Sequence, residues 1–303
     1  MRKLVTLDLH SNPREKDPCL TTVCSSRSMD STSPIRWLPR VPTISAIVFV
    51  HGFAGSPTGT WCDFHGLTEE YAADYPWWQD ATLFFYSYDS TKKPIHYNAV
   101  RLLDFLKTVL AADPKTPLPG PNFIWKYQQL LLVGHSEGAV VIRRTILNQI
   151  EALAKLGCQQ NVPPPALAGW IQNNARGNLL LEAKLCFFAP AIGGTNFSGV
   201  LGFVHGVSSF FSALASSSLV RNELLQESPI LKALRSGTEQ ACTSYPNIHA
   251  LSAQILFGSQ DQVVYTDKYD CDEFAEPFAE DHDHFSVCKP KYAYKRPLEF
   301  VRP

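Results

Sequence analysis

Short apolar runs alternate with amphipathic stretches along most of this chain. Continuous apolar runs of strand length predict strands at residues 46–50, 82–87, 128–133, 183–189 and 253–258. Between them, residues 99–110 and 139–150 place apolar side chains at helical spacing. This alternation predicts an α/β fold: a mainly parallel sheet with helices on both faces.

Two regions depart from this rhythm near the start of the chain and at its middle. Residues 4–9 alternate polar and apolar side chains, which predicts a first strand, while residues 13–42 are rich in Ser, Thr and Pro and predict an extension with little structure of its own. The prolines at 163–165 predict a loop. The chain is therefore expected to divide into an N-terminal strand and extension at 1–45 and one α/β domain at 46–303.

The interval from about 196 to 250 contains no strand-like run and is expected to be helical. Long inserted segments tend to be functional, so we interpret it as a helical lid, the alternative being a helical excursion that covers the sheet edge. Within it, Phe203, Phe210 and Phe211 are candidates to line an acyl pocket or to form ordinary core.

Length, composition and net charge limit the classes of protein to which this chain can belong. With 303 residues, 45% of them apolar and 18% charged, the chain is long enough to bury one large core. The net charge of −1 gives no electrostatic basis for binding nucleic acid. The eight cysteines are scattered and none forms a C-x-x-C pair, which favours free thiols in a reducing compartment and a cytoplasmic location.

The most informative motif follows the apolar run at 128–133. The segment Gly134-His135-Ser136-Glu137-Gly138 has the form G-x-S-x-G between a strand and a helix, which is the nucleophile elbow of α/β-hydrolases. Glycines are expected on both sides of the serine because strand and helix backbones crowd there. Ser136 is therefore the candidate nucleophile.

A serine nucleophile requires a base and an orienting acid, which occur in the chain order serine, acid, histidine in this fold. Asp261 follows the strand at 253–258 by three residues and is the leading acid, with Asp267 and Asp270 as alternatives. The late segment Asp281-His282-Asp283-His284 offers two histidines. Its alternating Asp and His also invite a metal-binding interpretation, but a triad already explains one histidine and no further ligand cluster is apparent.

An oxyanion hole takes one N–H from the residue after the nucleophile, here Glu137, and one from a loop after an early strand. The loop His51-Gly52-Phe53 follows the strand at 46–50. The backbone N–H of Phe53 is the expected second donor, and Gly52 permits the tight turn.

Several of these segments resemble the α/β-hydrolase group that contains the SERAC and PGAP-type lipid esterases. The resemblance rests on residues 47–56 with Thr60-Trp61, on residues 85–90, on the elbow, on the helical stretch 225–234, and on His284 followed by Cys288-Lys289-Pro290. It covers residues 46–290 and implies an α/β-hydrolase fold, with His284 rather than His282 as the base. It further implies a serine esterase or lipase acting on a phospholipid or another lipid ester.

The predicted function is hydrolysis of a carboxylic ester, through Ser136, His284 and Asp261, with no cofactor or metal. The expected partner is a small-molecule or lipid ester, with peripheral membrane contact through the lid. The same triad serves an amidase, a peptidase or a thioesterase, and a non-catalytic binding module that kept the fold is a more distant alternative.

Overall fold

One sheet organises the molecule. The computed structural model describes residues 3–6, 35–38, 44–62, 64–71, 73–110, 127–196 and 218–302. In these ranges the strands are β1 (Lys3–Thr6), β2 (Ile35–Leu38), β3 (Ser45–Val50), β4 (Ala81–Tyr86), β5 (Gln129–His135), β6 (Lys184–Phe188), β7 (Ala253–Leu256) and β8 (Glu273–Phe274). They form an eight-stranded sheet in the order β1-β2-β4-β3-β5-β6-β7-β8.

The sheet is parallel from β4 to β8, and β2 pairs antiparallel with both β1 and β4. All six residues of β3 and all six of β4 are buried. Because successive side chains of a strand point to opposite faces, both faces of the sheet are covered there. Burial on both faces explains why these strands appear in the sequence as apolar runs without alternation.

The helices follow the strands in the expected alternation. They are α1 (Phe64–Glu70), α2 (Ile95–Leu110), α3 (Glu137–Gln159), α4 (Pro164–Ala175), α5 (Ser218–Glu223), α6 (Pro229–Ser244) and α7 (Arg296–Phe300). Helix α3 packs against α2, α4 and α6 and also contacts β5 and β3. It is thus the central helix of the layer that covers the middle strands.

The predicted α/β architecture with a mainly parallel sheet is confirmed, but two local predictions are wrong. Residues 35–38 lie inside the segment expected to lack structure, yet they form β2, which pairs with β4. The prolines predicted to form a loop instead start α4 at Pro164. Proline fits the first turn of a helix because its missing N–H has no intrahelical partner there.

The region predicted to be a lid falls only partly within the described residues. Residues 197–217, including Phe203, Phe210 and Phe211, lie outside them, so the lid stays a prediction. Residues 218–244 of this region form the two helices α5 and α6. Ser228 caps α6 by accepting a hydrogen bond from the Leu231 N–H (3.3 Å), and Pro229 follows it. Among the described residues, no helix has the length and apolarity required to cross a bilayer.

Candidate active site

The elbow joins β5 to α3 through a single residue. Ser136 has φ 54° and ψ −121°, backbone angles that residues other than glycine rarely adopt. Its N–H donates to the Phe188 carbonyl oxygen (3.1 Å) on the neighbouring strand β6. A Cβ on Gly134 would lie 2.8 Å from Ala139 Cα, and a Cβ on Gly138 would lie 2.2 Å from the Val50 carbonyl oxygen. The strained turn therefore depends on glycine at both flanking positions.

The loop after β3 lies directly against the elbow. A Cβ on Gly52 would lie 2.7 Å from the Ser136 Cβ and 3.0 Å from the His135 carbonyl oxygen. Phe53, the next residue, is buried. The backbone of this loop therefore approaches Ser136 so closely that no side chain would fit between them. An oxyanion donor is required beside the nucleophile, at this position.

The predicted acid and base are in contact. His284 Nδ1 lies 3.0 Å from Asp261 Oδ2, and both side chains are 1% exposed. The other carboxylate oxygen of Asp261 accepts from the N–H groups of Val263 (2.9 Å) and Val264 (3.2 Å). Burial raises the pKa of Asp261, but His284 and these two N–H groups outweigh it, so the net shift is downward. Asp261 is therefore ionised and holds Nδ1–H of His284, which leaves Nε2 for proton transfer.

The alternative acids and the second histidine have other partners. Asp267 forms an ion pair with Arg235, and Asp270 is exposed. The His282 ring stacks on Tyr294, with centroids 3.5 Å apart. In the described part of the chain, no group of three or more His, Cys, Asp or Glu side chains is placed to hold a metal ion.

His135 has a role that the sequence did not reveal. Its Nε2 lies 2.8 Å from the His284 carbonyl oxygen, and the two rings are 4.8 Å apart. Burial, together with the charge of His284, lowers the pKa of His135 to about 3. A neutral ring whose Nε2 faces a carbonyl must carry its proton there, so His135 donates to the backbone of His284. The elbow thereby positions the histidine loop.

His51 stabilises the loop after β3 in a similar way. Its Nδ1 donates to the Gly52 carbonyl oxygen (2.9 Å), and its Nε2 accepts from the Tyr88 N–H (3.4 Å). The Tyr88 hydroxyl donates to the His51 carbonyl oxygen (2.8 Å), and the rings stack 4.4 Å apart. Burial lowers the pKa of His51 to about 4, so the ring stays neutral. In the sequence, the His51-Gly52 dipeptide after the early strand was the signal that could have indicated this positioning role for His51.

Glu137 brings a buried carboxyl group next to the nucleophile. Its side chain is fully buried, and neither oxygen finds a hydrogen-bond partner among the described residues. Burial, followed by the charges of Glu223 and Asp89, raises the pKa of Glu137 well above its ordinary value. Burial therefore favours the neutral form of the Glu137 carboxyl group.

Residues of the sequence resemblance also meet at this site. The buried Trp61 packs edge-on against His135, with centroids 6.4 Å apart. The Cys288 thiol donates to the Thr60 carbonyl oxygen (3.4 Å). These contacts connect the segment after β3 to the elbow and to the segment after His284.

Strand order, elbow and buried His–Asp pair together define an α/β-hydrolase fold. Comparison with protein-family models gives no match, and comparison with curated proteins gives none either. Among solved structures, the mature lipase BlEst2 of Bacillus licheniformis is similar at 14% identity, with a TM-score of 0.52, over 87% of this chain and 96% of that chain. This likeness supports the fold alone.

Two further structures are more distant in shape. Phospholipase PlaB from Legionella pneumophila is 16% identical over 73% of this chain and 44% of that chain, with a TM-score of 0.48. The peroxisomal alpha-beta-hydrolase Lpx1 from Saccharomyces cerevisiae is 10% identical over 99% of this chain and 87% of that chain, with a TM-score of 0.49. At these scores neither structure bears on the activity of this chain.

Proposed function

We propose that this protein is a serine hydrolase that cleaves carboxylic esters, with Ser136 as nucleophile, His284 as base and Asp261 as orienting acid. The observation that carries the proposal is the buried His284–Asp261 contact of 3.0 Å beside a strained serine elbow. The contact from His135 to the backbone of His284 supports the pairing of this histidine with this serine.

The reaction follows from the protonation states at the site. His284 Nε2 takes the proton of the Ser136 hydroxyl while the serine oxygen attacks the acyl carbon. Asp261 keeps the proton of His284 on Nδ1 and stabilises the imidazolium. His284 then returns its proton to the leaving alcohol, and water, activated by the same ring, releases the acyl group from Ser136.

Backbone N–H groups of Phe53 and Glu137 stabilise the oxyanion in this proposal. Loss of one such donor typically costs ~3 kcal/mol of transition-state stabilisation. The close approach of Gly52 to Ser136 supports the Phe53 assignment, because Phe53 is the next residue of that loop. The position of Glu137 at the start of α3 supports the second donor, since N–H groups at a helix start lack intrahelical partners.

The substrate class follows from the sequence resemblance to SERAC and PGAP-type lipid esterases. We infer a lipid or phospholipid ester, with peripheral membrane contact through the predicted lid at about 196–250 and a cytoplasmic location. The chemistry assigned to Ser136, His284 and Asp261 uses neither a metal nor a cofactor.

Covalent labelling with a fluorophosphonate probe tests the proposal. The probe phosphorylates an activated serine and releases fluoride, so it reports the nucleophile without requiring the natural substrate. Wild type should be labelled, whereas Ser136→Ala and His284→Ala should not. His249→Ala is the matched control, because His249 is an exposed histidine outside the site and its variant should label like wild type.

A panel of ester, thioester and amide substrates then assigns the bond. Faster turnover of esters supports the proposal, whereas preference for thioesters or amides assigns the same triad to a thioesterase, amidase or peptidase. Wild type that is folded but neither labelled nor active would overturn the proposal and favour a binding module.

A further inference from the structure

Two cysteines far apart in sequence meet beside the core. Cys242 lies on α6, and Cys271 lies just before β8. Both sulfur atoms lie within hydrogen-bond distance of the same acceptor, the Leu251 carbonyl oxygen, at 3.7 Å for Cys242 and 3.1 Å for Cys271. The other four described cysteines are single thiols, of which Cys62 and Cys158 are exposed and Cys186 and Cys288 are buried.

Contact between the two thiols favours the thiolate form of Cys271. The Arg143 guanidinium also donates to the Leu251 carbonyl oxygen, but it is ion-paired with Asp272, whose charge raises the pKa of Cys271 while that of Arg143 lowers it. The Cys242 thiol lies against the Cys271 sulfur, and hydrogen bonding between them raises the pKa of Cys242 and lowers that of Cys271. Both cysteines are partly exposed. A lowered pKa and partial exposure are the conditions under which cysteines react.

We infer that Cys242 and Cys271 form a thiol–disulfide modification site, which closes reversibly when it exchanges with a low-molecular-weight disulfide. This site is independent of the proposed ester hydrolysis. Its bond would join α6 to the segment that follows the loop of Asp261.

The exchange proceeds in two balanced steps. The Cys271 thiolate attacks one sulfur of the small disulfide, whose S–S bond breaks and expels one thiolate. The Cys242 sulfur, after losing its proton, attacks the Cys271 sulfur of the mixed disulfide and expels the second thiolate. Two electrons pass from the protein thiols to the small disulfide, and the two released thiols take up the two protons.

Oxidation of the two thiols leaves the Leu251 carbonyl oxygen with a hydrogen-bond donor. When the thiols lose their hydrogens they no longer bond to the Leu251 oxygen, but the Arg143 guanidinium still does. Arg143 is itself held by Asp272, the residue after Cys271. The disulfide can therefore form without leaving an unsatisfied buried acceptor at Leu251, which would otherwise disfavour it.

The test is to incubate the full chain with glutathione disulfide and map the products by mass spectrometry. Trypsin cleaves after Lys268 and so separates Cys242 from Cys271 into different peptides. Wild type should give a cross-link between these peptides that vanishes on reduction and is lost in Cys271→Ser. Cys242→Ser should accumulate a glutathione adduct on Cys271, because the resolving thiol is missing.

The exposed Cys62 and Cys158 serve as internal controls, since each should form only a glutathione adduct. In urea the cross-link should lose its preference over other pairings, because the fold brings the two sulfurs together. Failure of the cross-link to form in folded wild type, while Cys62 and Cys158 acquire glutathione, would overturn the inference. Equal formation of the cross-link in folded and unfolded chain would overturn it as well.

Discussion

Replacing Gly138 by alanine is expected to displace the loop that carries Phe53, the proposed oxyanion donor. The new Cβ would lie 2.2 Å from the Val50 carbonyl oxygen and 2.5 Å from the His51 carbonyl oxygen, whereas ordinary contacts begin near 3.4 Å. The obstructing atoms are backbone, so the end of β3 and the start of α3 must separate by roughly 1 Å, a misplacement of the size that costs ~10²-fold in rate.

The effect on stability can be weighed in the same terms. Alanine in a helix gains ~1 kcal/mol over glycine. Overpacking a close contact costs ~1–3 kcal/mol, and we take the upper end because no side chain can rotate away. The clash therefore dominates at Gly138, and the variant should lose ~2 kcal/mol of unfolding free energy.

Gly169→Ala is the matched control, because Gly169 also lies in a helix, α4, and an added Cβ there meets nothing within 4 Å. It should gain stability and keep full esterase activity. Activity is measured with a p-nitrophenyl ester at saturating and low concentration, and stability by urea unfolding. If Gly138→Ala matched wild type in both rate and unfolding free energy, the argument from backbone crowding at the elbow would be refuted.

Two further substitutions probe buried charge. Glu137→Gln should stabilise the protein increasingly as pH rises: burial, and then Glu223, raise the folded-state pKa of Glu137, so wild type loses stability as pH rises above the unfolded value of ~4.3. A stability difference that stays constant from pH 4 to 8 in urea unfolding would contradict this. Asp272→Asn should cost ~3–5 kcal/mol, because it leaves the buried Arg143 charge unpaired. Glu151→Gln, which breaks a half-exposed ion pair, should cost ~0–1 kcal/mol by the same assay, and equal losses would argue against the buried pair.

Local patterns were sufficient for the five central strands and the serine elbow. Buried parallel strands require apolar residues on both faces, so the runs that became β3, β4, β5, β6 and β7 were visible without a structure. The elbow was equally visible, because its serine and two glycines stand within five consecutive residues, although the contacts that require Gly138 come from Val50 and His51. Chain order then led to Asp261, which the structure places 3.0 Å from His284.

Local patterns failed where a partner distant in sequence decides the conformation. Residues 35–38 become β2 because β4 offers it an edge, and nothing in the Ser- and Pro-rich surroundings indicates that edge. The prolines at 163–165 predict a loop, but Pro164 starts α4. A proline in the sequence shows where a preceding helix must end, but it does not show whether a new helix begins there.

By itself, then, the sequence determined the α/β alternation and the position of the serine elbow, since each of these patterns lies within a few consecutive residues. Only the tertiary structure assigned the Nε2 proton of His135 to the His284 carbonyl and brought Cys242 against Cys271. Those pairs are far apart in sequence, and their contacts arise when the loops at one edge of the sheet and the packed helix α6 are folded into place. No periodicity along the chain encodes such contacts, because each depends on the positions of several elements at once.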